Sequence, residues 1–87
     1  MLKIISVSNL EYCPACRILE PILEAVASDL GIPITNLDPE DSPKEVGLLH
    51  IESLPTTIVM RDNVEIGRIV GAYPKAMIRI KLDAIIK

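Results

Sequence analysis

A strand, a long amphipathic helix and a second strand, all within residues 2–37, are the feature that most tightly constrains how this chain can fold. Leu2 to Val7 reads as a buried strand. From Pro14 to Leu30 the apolar positions Ile18, Leu19, Ile22, Leu23, Val26, Ala27 and Leu30 recur at helical spacing, with Arg17, Glu20, Glu24 and Ser28 between them. Pro14 suits the first helical position, where its missing N–H costs nothing, and Gly31 followed by Pro33 supplies the stop. Ile32 to Leu37 has strand character again. Two strands joined through a helical crossover in one sheet run parallel. Pro21 removes the bond to the Arg17 carbonyl, costing about 3 kcal/mol if uncompensated, and predicts a bend rather than a break.

The rest of the chain completes the pattern. Ser42-Pro43-Lys44-Glu45 has the form of a capping box and predicts a short helix to about Leu49, weakened by Gly47. Ile51 to Leu54 has no clear period and is read as a connection. Thr56–Met60 and Val64–Val70 read as strands joined by a hairpin turn of Arg61, Asp62 and Asn63, with Gly71 ending the second. Pro74 opens a last helix in which Met77, Ile78, Ile80, Leu82, Ile85 and Ile86 form a broad apolar face, expected to pack onto the sheet. The order β-α-β-α-β-β-α predicts an α/β fold with a central mixed four-stranded sheet and three helices. With 87 residues, 49% of them hydrophobic, a single domain spanning 1–87 is expected. The lack of Phe and Trp makes its core aliphatic.

The formal net charge of −3 is scattered, and no cluster of Lys or Arg provides a footprint for phosphate. Nucleic acid and membranes are therefore poor partners. No apolar run approaches a membrane span, and Met1 to Val7 lacks a basic leader. A cytoplasmic monomer is the expectation.

Cys13 and Cys16 are the only cysteines, so no disulfide framework can form and a single dithiol remains. In a reducing compartment that spacing points to redox chemistry or to metal. The first cysteine lies at a strand-to-helix junction, where unpaired backbone N–H groups and the helix dipole favour a thiolate over a thiol. Cys13 is thus the candidate nucleophile. Cys16, one turn along, can attack a mixed disulfide formed at Cys13 and is the candidate resolving thiol. Glu11 opposes the thiolate and Arg17 supports it. A Cys-x-x-Cys pair can also be half of a zinc or iron–sulfur site, but His50 is the one other soft ligand in the chain.

Several separate segments together resemble the thioredoxin superfamily, over nearly the whole chain from Ile4 to Lys87. Tyr12-Cys13-Pro14-Ala15-Cys16-Arg17 is similar to its active-site segment, and Pro21-Ile22-Leu23 to the proline-bearing part of the following helix. Leu54-Pro55-Thr56 resembles the family's cis-proline loop. Val64-Glu65 and Val70-Gly71-Ala72 resemble its hairpin and the loop before its last helix. The resemblance implies that Pro55 is cis and adjacent to Cys13, and that the backbone of Leu54 pairs with an extended substrate segment. Tyr12, Pro14, Ala15, Leu54, Pro55, Gly71 and Ala72 become candidate substrate-binding residues. It also implies that the cis-proline discourages metal from occupying the dithiol.

The chain departs from the family's pattern at named positions. Tyr12 stands where thioredoxins usually carry Trp, and Val7 stands six residues before Cys13, where they place a buried acid. Set beside longer thioredoxins, the pattern is expected to lack their extra N-terminal strand and helix, which gives the outline of a glutaredoxin, and Pro14 is glutaredoxin-like. Ala15 replaces the aromatic that glutaredoxins commonly carry, and Ala72-Tyr73 replaces their Gly and acid after the first Gly. The resemblance implies a protein-disulfide reductase with no bound cofactor beyond its redox-active Cys13–Cys16 disulfide. Its partners would be disulfide-containing proteins and a flavin-dependent disulfide reductase as electron donor. A glutathione-dependent enzyme is the alternative, followed by a metal or iron–sulfur dimer and a binding module without turnover.

Overall fold

A computed structural model describes all residues, Met1–Lys87. Its elements are β1 (Leu2–Val7), α1 (Pro14–Leu30), β2 (Ile34–Leu37), α2 (Pro43–Leu48), β3 (Thr56–Arg61), β4 (Val64–Val70) and α3 (Lys75–Ile86). The four strands form one mixed sheet in the order β2-β1-β3-β4. β1 and β2 run parallel, with Ile4 opposite Ile34 and Val7 opposite Leu37. β3 runs antiparallel to β1, placing Ile4 opposite Val59 and Ser6 opposite Thr57. The expected order and the mixed sheet are both present.

Side chains alternate across the strands, so each face of the sheet collects its own apolar set. Ile4, Val59 and Ile69 face α1 and α3 and pack with Leu19, Leu23, Val26, Ala27, Ile78 and Leu82. Val7 and Ile58 face the other way and pack with Val46 of α2. Two aliphatic layers therefore fix the sheet between its helices, as the Ile- and Leu-rich composition requires.

α1 runs unbroken through Pro21, which lies exposed. Its buried stripe is Cys16, Leu19, Leu23, Val26 and Ala27. Ile18 lies about 100° round the helix from Leu19 and faces solvent, 62% exposed. The helix ends in a Schellman motif: the Ile32 N–H donates to the Ala27 carbonyl at 2.9 Å and the Gly31 N–H to the Ser28 carbonyl at 3.1 Å. Gly31 adopts φ 67°, the left-handed conformation that suits glycine. Because that motif engages Ile32, β2 begins at Ile34 and not at Ile32.

Three other expectations are corrected. Ser42 precedes α2 without a side-chain capping bond. Its own N–H donates to the Asp38 carbonyl at 2.8 Å, so the reciprocal bond from Glu45 has no free donor to meet. The hairpin turn has two residues, Asp62 and Asn63, at φ 51° and 69°, while Arg61 belongs to β3. Two consecutive positive φ values match the twist of the flanking strands, which a type I′ turn provides. In α3, Ile78 and Leu82 are buried but Met77 and Ile80 are exposed, so its apolar face meets the sheet along one narrow stripe.

β3 and β4 contain an irregularity: Val59 opposes Gly67 while Met60 opposes Glu65, which leaves Ile66 as an extra residue in β4. Ile66 and Ile85 both pack against the α1/α3 core.

Candidate functional site

The loop from β1 to α1 is built around Asn9. Its side-chain oxygen accepts from the Tyr12 N–H at 2.7 Å and its carbonyl accepts from the Cys13 N–H at 3.1 Å. The amide nitrogen donates to the Asp38 carboxylate at 3.2 Å, tying this loop to the one after β2. Buried Asn9 thus fixes the residues that deliver Cys13 to the helix. The sequence marks Asn9 only as a turn residue, although Asn side chains commonly accept from backbone N–H groups a few residues on.

Cys13 is the residue that caps α1, with φ −119° and ψ 100°, and Pro14 occupies the first helical position. The Cys13 Sγ accepts a hydrogen bond from the Cys16 backbone N–H at 3.1 Å. Cys13 and Cys16 are joined by a disulfide, their Cα atoms 5.2 Å apart. The two sulfurs differ in access. Cys13 is half-buried, whereas Cys16 is only 1% exposed. Arg17 does not point its charge at the sulfurs: its guanidinium donates to the Leu10 carbonyl at 2.8 Å and the Glu11 carbonyl at 3.0 Å, bracing the loop.

The Leu54–Pro55 peptide bond is cis, and Pro55 is fully buried. Thr56 stands opposite Val7, so Pro55 lies at the same end of the sheet from which the Asn9 loop leads to Cys13. The Thr56 hydroxyl donates to the Ser53 carbonyl at 2.7 Å, closing the turn around the proline. Gly71, at φ 100°, donates its N–H to the Pro55 carbonyl at 2.9 Å and brings the Val70-Gly71-Ala72 segment against the proline. Tyr12 stands out from this end, 70% exposed, and Pro14 is exposed beside it. Ala15, Leu54, Gly71 and Ala72 are half-buried; Leu54 also packs on the α2 face and Ala72 on the α1/α3 face. The segments picked out in the sequence thus converge on one end of the sheet.

Arg68 is a further organiser that the sequence reading does not identify. Its guanidinium donates through Nε and one terminal nitrogen to both Glu65 carboxylate oxygens, each at 2.6 Å. It also donates to the Leu49 carbonyl at 2.9 Å and the His50 carbonyl at 3.3 Å. The chain reverses there with His50 at φ 54°, and the segment that follows leads to Pro55. The Arg68 guanidinium beside Glu65 holds that carboxyl below the ordinary carboxylate value, chiefly by hydrogen bonding. His50 is exposed, and no three His, Cys, Asp or Glu side chains gather into a metal-binding group.

A Cys-x-x-Cys disulfide capping a long helix, at the same end of a β2-β1-β3-β4 sheet as a cis-proline, defines the thioredoxin-like class. The family model described as Thioredoxin matches residues 7–84, and the chain belongs to the thioredoxin family. It is 38% identical to the thioredoxin of Chlamydia muridarum over 66 residues, which are 75% of this chain and 65% of that protein. The chain therefore spans a little under two thirds of that relative's length. It is 34% identical to thioredoxin 2 of Chlorobaculum tepidum over 74 residues, 83% of this chain and 68% of that protein. Among solved structures, thioredoxin 1 from Thermosipho africanus shares the fold with a TM-score of 0.84 at 20% identity, covering 97% of this chain and 93% of that one. The thioredoxin of Trypanosoma brucei brucei superposes with a TM-score of 0.85 at 25% identity, covering 99% of this chain and 75% of that one.

Proposed function

We propose that this chain is a thiol–disulfide oxidoreductase that reduces disulfides in partner proteins. The observation that carries the reading is the hydrogen bond from the Cys16 N–H to the Cys13 Sγ at the start of α1. In the dithiol form the same N–H and the helix dipole stabilise negative charge on Cys13. Cys13, the more exposed sulfur, acts as the nucleophile and attacks the substrate disulfide. Buried Cys16 then attacks the Cys13 sulfur of the mixed disulfide and releases the reduced substrate. Tyr12, Pro14, Ala15, Pro55, Gly71 and Ala72 form the surrounding contact surface, and the backbone of Leu54 pairs with an extended substrate segment. A flavin-dependent disulfide reductase restores the dithiol, and the chain works as a cytoplasmic monomer.

The test is a pair of serine variants presented with a disulfide-bonded protein such as insulin. Cys16→Ser should accumulate a mixed disulfide at Cys13, Cys13→Ser should accumulate none, and both should lose turnover. A second reading, a glutathione-dependent enzyme, draws support from Pro14 directly after the first cysteine. It predicts that Cys16→Ser keeps turning over with millimolar glutathione, since that route needs Cys13 alone. Retained turnover would replace the first reading with the second.

A further inference from the structure

Thr57 is wholly buried, and its hydroxyl is the one buried side-chain polar atom left without a hydrogen-bond partner. Such a group carries an uncompensated desolvation cost, so its presence calls for a physical reason. Its place in the sheet supplies one. Thr57 stands opposite Ser6, which is also buried, and this pair lies two residues beyond the Ile4–Val59 pair. Alternation puts Ser6 and Thr57 on the face of Ile4 and Val59, the face that packs with Leu19 and Leu23 of α1. Cys16 precedes Leu19 by about one turn on the same buried stripe. β1 runs toward the end of the sheet from which the Asn9 loop leads to α1, so the Ser6–Thr57 pair lies at the same end of the fold as the first turn of α1, which holds Cys16.

The geometry points to the Thr57 hydroxyl as the hydrogen-bond donor to the Cys16 sulfur in the reduced protein, making Thr57 a positioning residue for the resolving thiol. The inference rests on the oxidoreductase reading above. In the disulfide, Cys16 is a weak acceptor and the hydroxyl has no partner; in the dithiol, the Cys16 thiolate is a strong one. The hydroxyl is not a base and keeps its proton. Cys16 loses its proton to solvent, and the donated bond raises the fraction present as thiolate. The thiolate sulfur then bonds to the Cys13 sulfur, the bond from Cys13 to the substrate sulfur breaks, and the electron pair leaves on that sulfur, which takes up a proton. Over the cycle the Cys13–Cys16 dithiol loses two electrons and two protons and the substrate disulfide gains them.

Thr57→Val removes the hydroxyl at nearly constant shape, and Thr57→Ser keeps it. Each variant and the parent chain are equilibrated with a glutathione redox buffer, and dithiol and disulfide are counted by alkylation and mass. At a pH high enough to ionise the Cys16 thiol, Thr57→Val should shift the equilibrium about tenfold toward the disulfide, equivalent to about 30 mV, and by less at neutral pH. It should also slow release of glutathione from a Cys13 mixed disulfide about threefold at neutral pH, where a lost thiolate fraction outweighs gained nucleophilicity, and the slowing should turn into faster release at high pH, where only the gained nucleophilicity remains. Thr57→Ser should stay within about twofold of the parent chain. The inference is overturned if Thr57→Val leaves the equilibrium unchanged, or if Thr57→Ser shifts it equally, since packing would then be the cause. The oxidised Thr57→Val chain should melt no lower than the parent, because a methyl replaces an orphaned hydroxyl. A parent chain that exchanges with glutathione but reduces no protein disulfide would remove the protein-disulfide part of that reading, while the Thr57 variants, read on the Cys13–Cys16 couple itself, would still decide this inference.

Discussion

Asn9 and Arg68 hold the two loops that meet at the dithiol end, and each does so by satisfying backbone groups. Asn9→Ala strips an acceptor from the Tyr12 N–H and a donor from Asp38. We expect a loss of about 1–3 kcal/mol in chemical denaturation, the range for unpairing buried polar groups. The same variant should weaken control of Cys13 access, visible as faster alkylation of the reduced protein. At Arg68 the expectation concerns pH. The folded-state carboxyl of Glu65 is depressed from its ordinary value of 4.5, chiefly by the Arg68 hydrogen bond, which outweighs the opposing cost of burial, with a lesser contribution from the Arg68 charge. A depressed carboxylate contributes stability that is present in full above its unfolded value and is lost as pH falls through the folded one. Glu65→Gln should therefore be less stable than the parent chain at neutral pH, and the gap should close as pH is taken below 4.5. A gap that stayed constant in denaturation curves down to acid pH would contradict this assignment.

Individual elements meet at places where little volume is free. A Cβ on Gly67 would lie 2.8 Å from Ile85 Cγ2 and 2.9 Å from Ile85 Cγ1, so α3 approaches β4 as closely as a bare backbone allows. Gly67→Ala should cost about 1–3 kcal/mol through overpacking, measured as a lower midpoint in denaturant. Gly31→Ala meets open space but must adopt φ 67°, and should cost about 1 kcal/mol from backbone strain alone. The long elements are legible in the sequence because their signals are local: α1 announces itself by apolar spacing and by its proline and glycine ends. What the sequence does not carry is set by neighbours distant in the chain. β2 starts late because α1's C-cap takes the Ile32 N–H. α2 lacks its capping box because Asp38 already occupies the Ser42 N–H. Met77 and Ile80 are apolar at helical spacing, yet α3 has sheet and helix beneath one stripe only. At the site, Cys13, Cys16 and Pro55 are readable as motifs. Asn9, Arg68 and Thr57 emerge only from the hydrogen bonds they make or lack.

Across the whole molecule, three loop segments that are far apart in sequence share one end of a single sheet: the Cys13 loop, the Pro55 turn and the Gly71 turn. That end offers one half-buried sulfur beside one buried sulfur, an asymmetry suited to attack by Cys13 followed by release through Cys16. Exposed Tyr12 and the half-buried Ala15, Leu54 and Ala72 place uncharged side chains at that end. The central claim is that this dithiol is a reductant of protein disulfides, and its reduction potential tests that claim most directly. Equilibration of Cys13–Cys16 with a glutathione redox buffer, read by alkylation and mass, should give a value near −270 mV, about that of thioredoxin. A value near −200 mV with a persistent glutathione adduct on Cys13, about the glutaredoxin range, would contradict it.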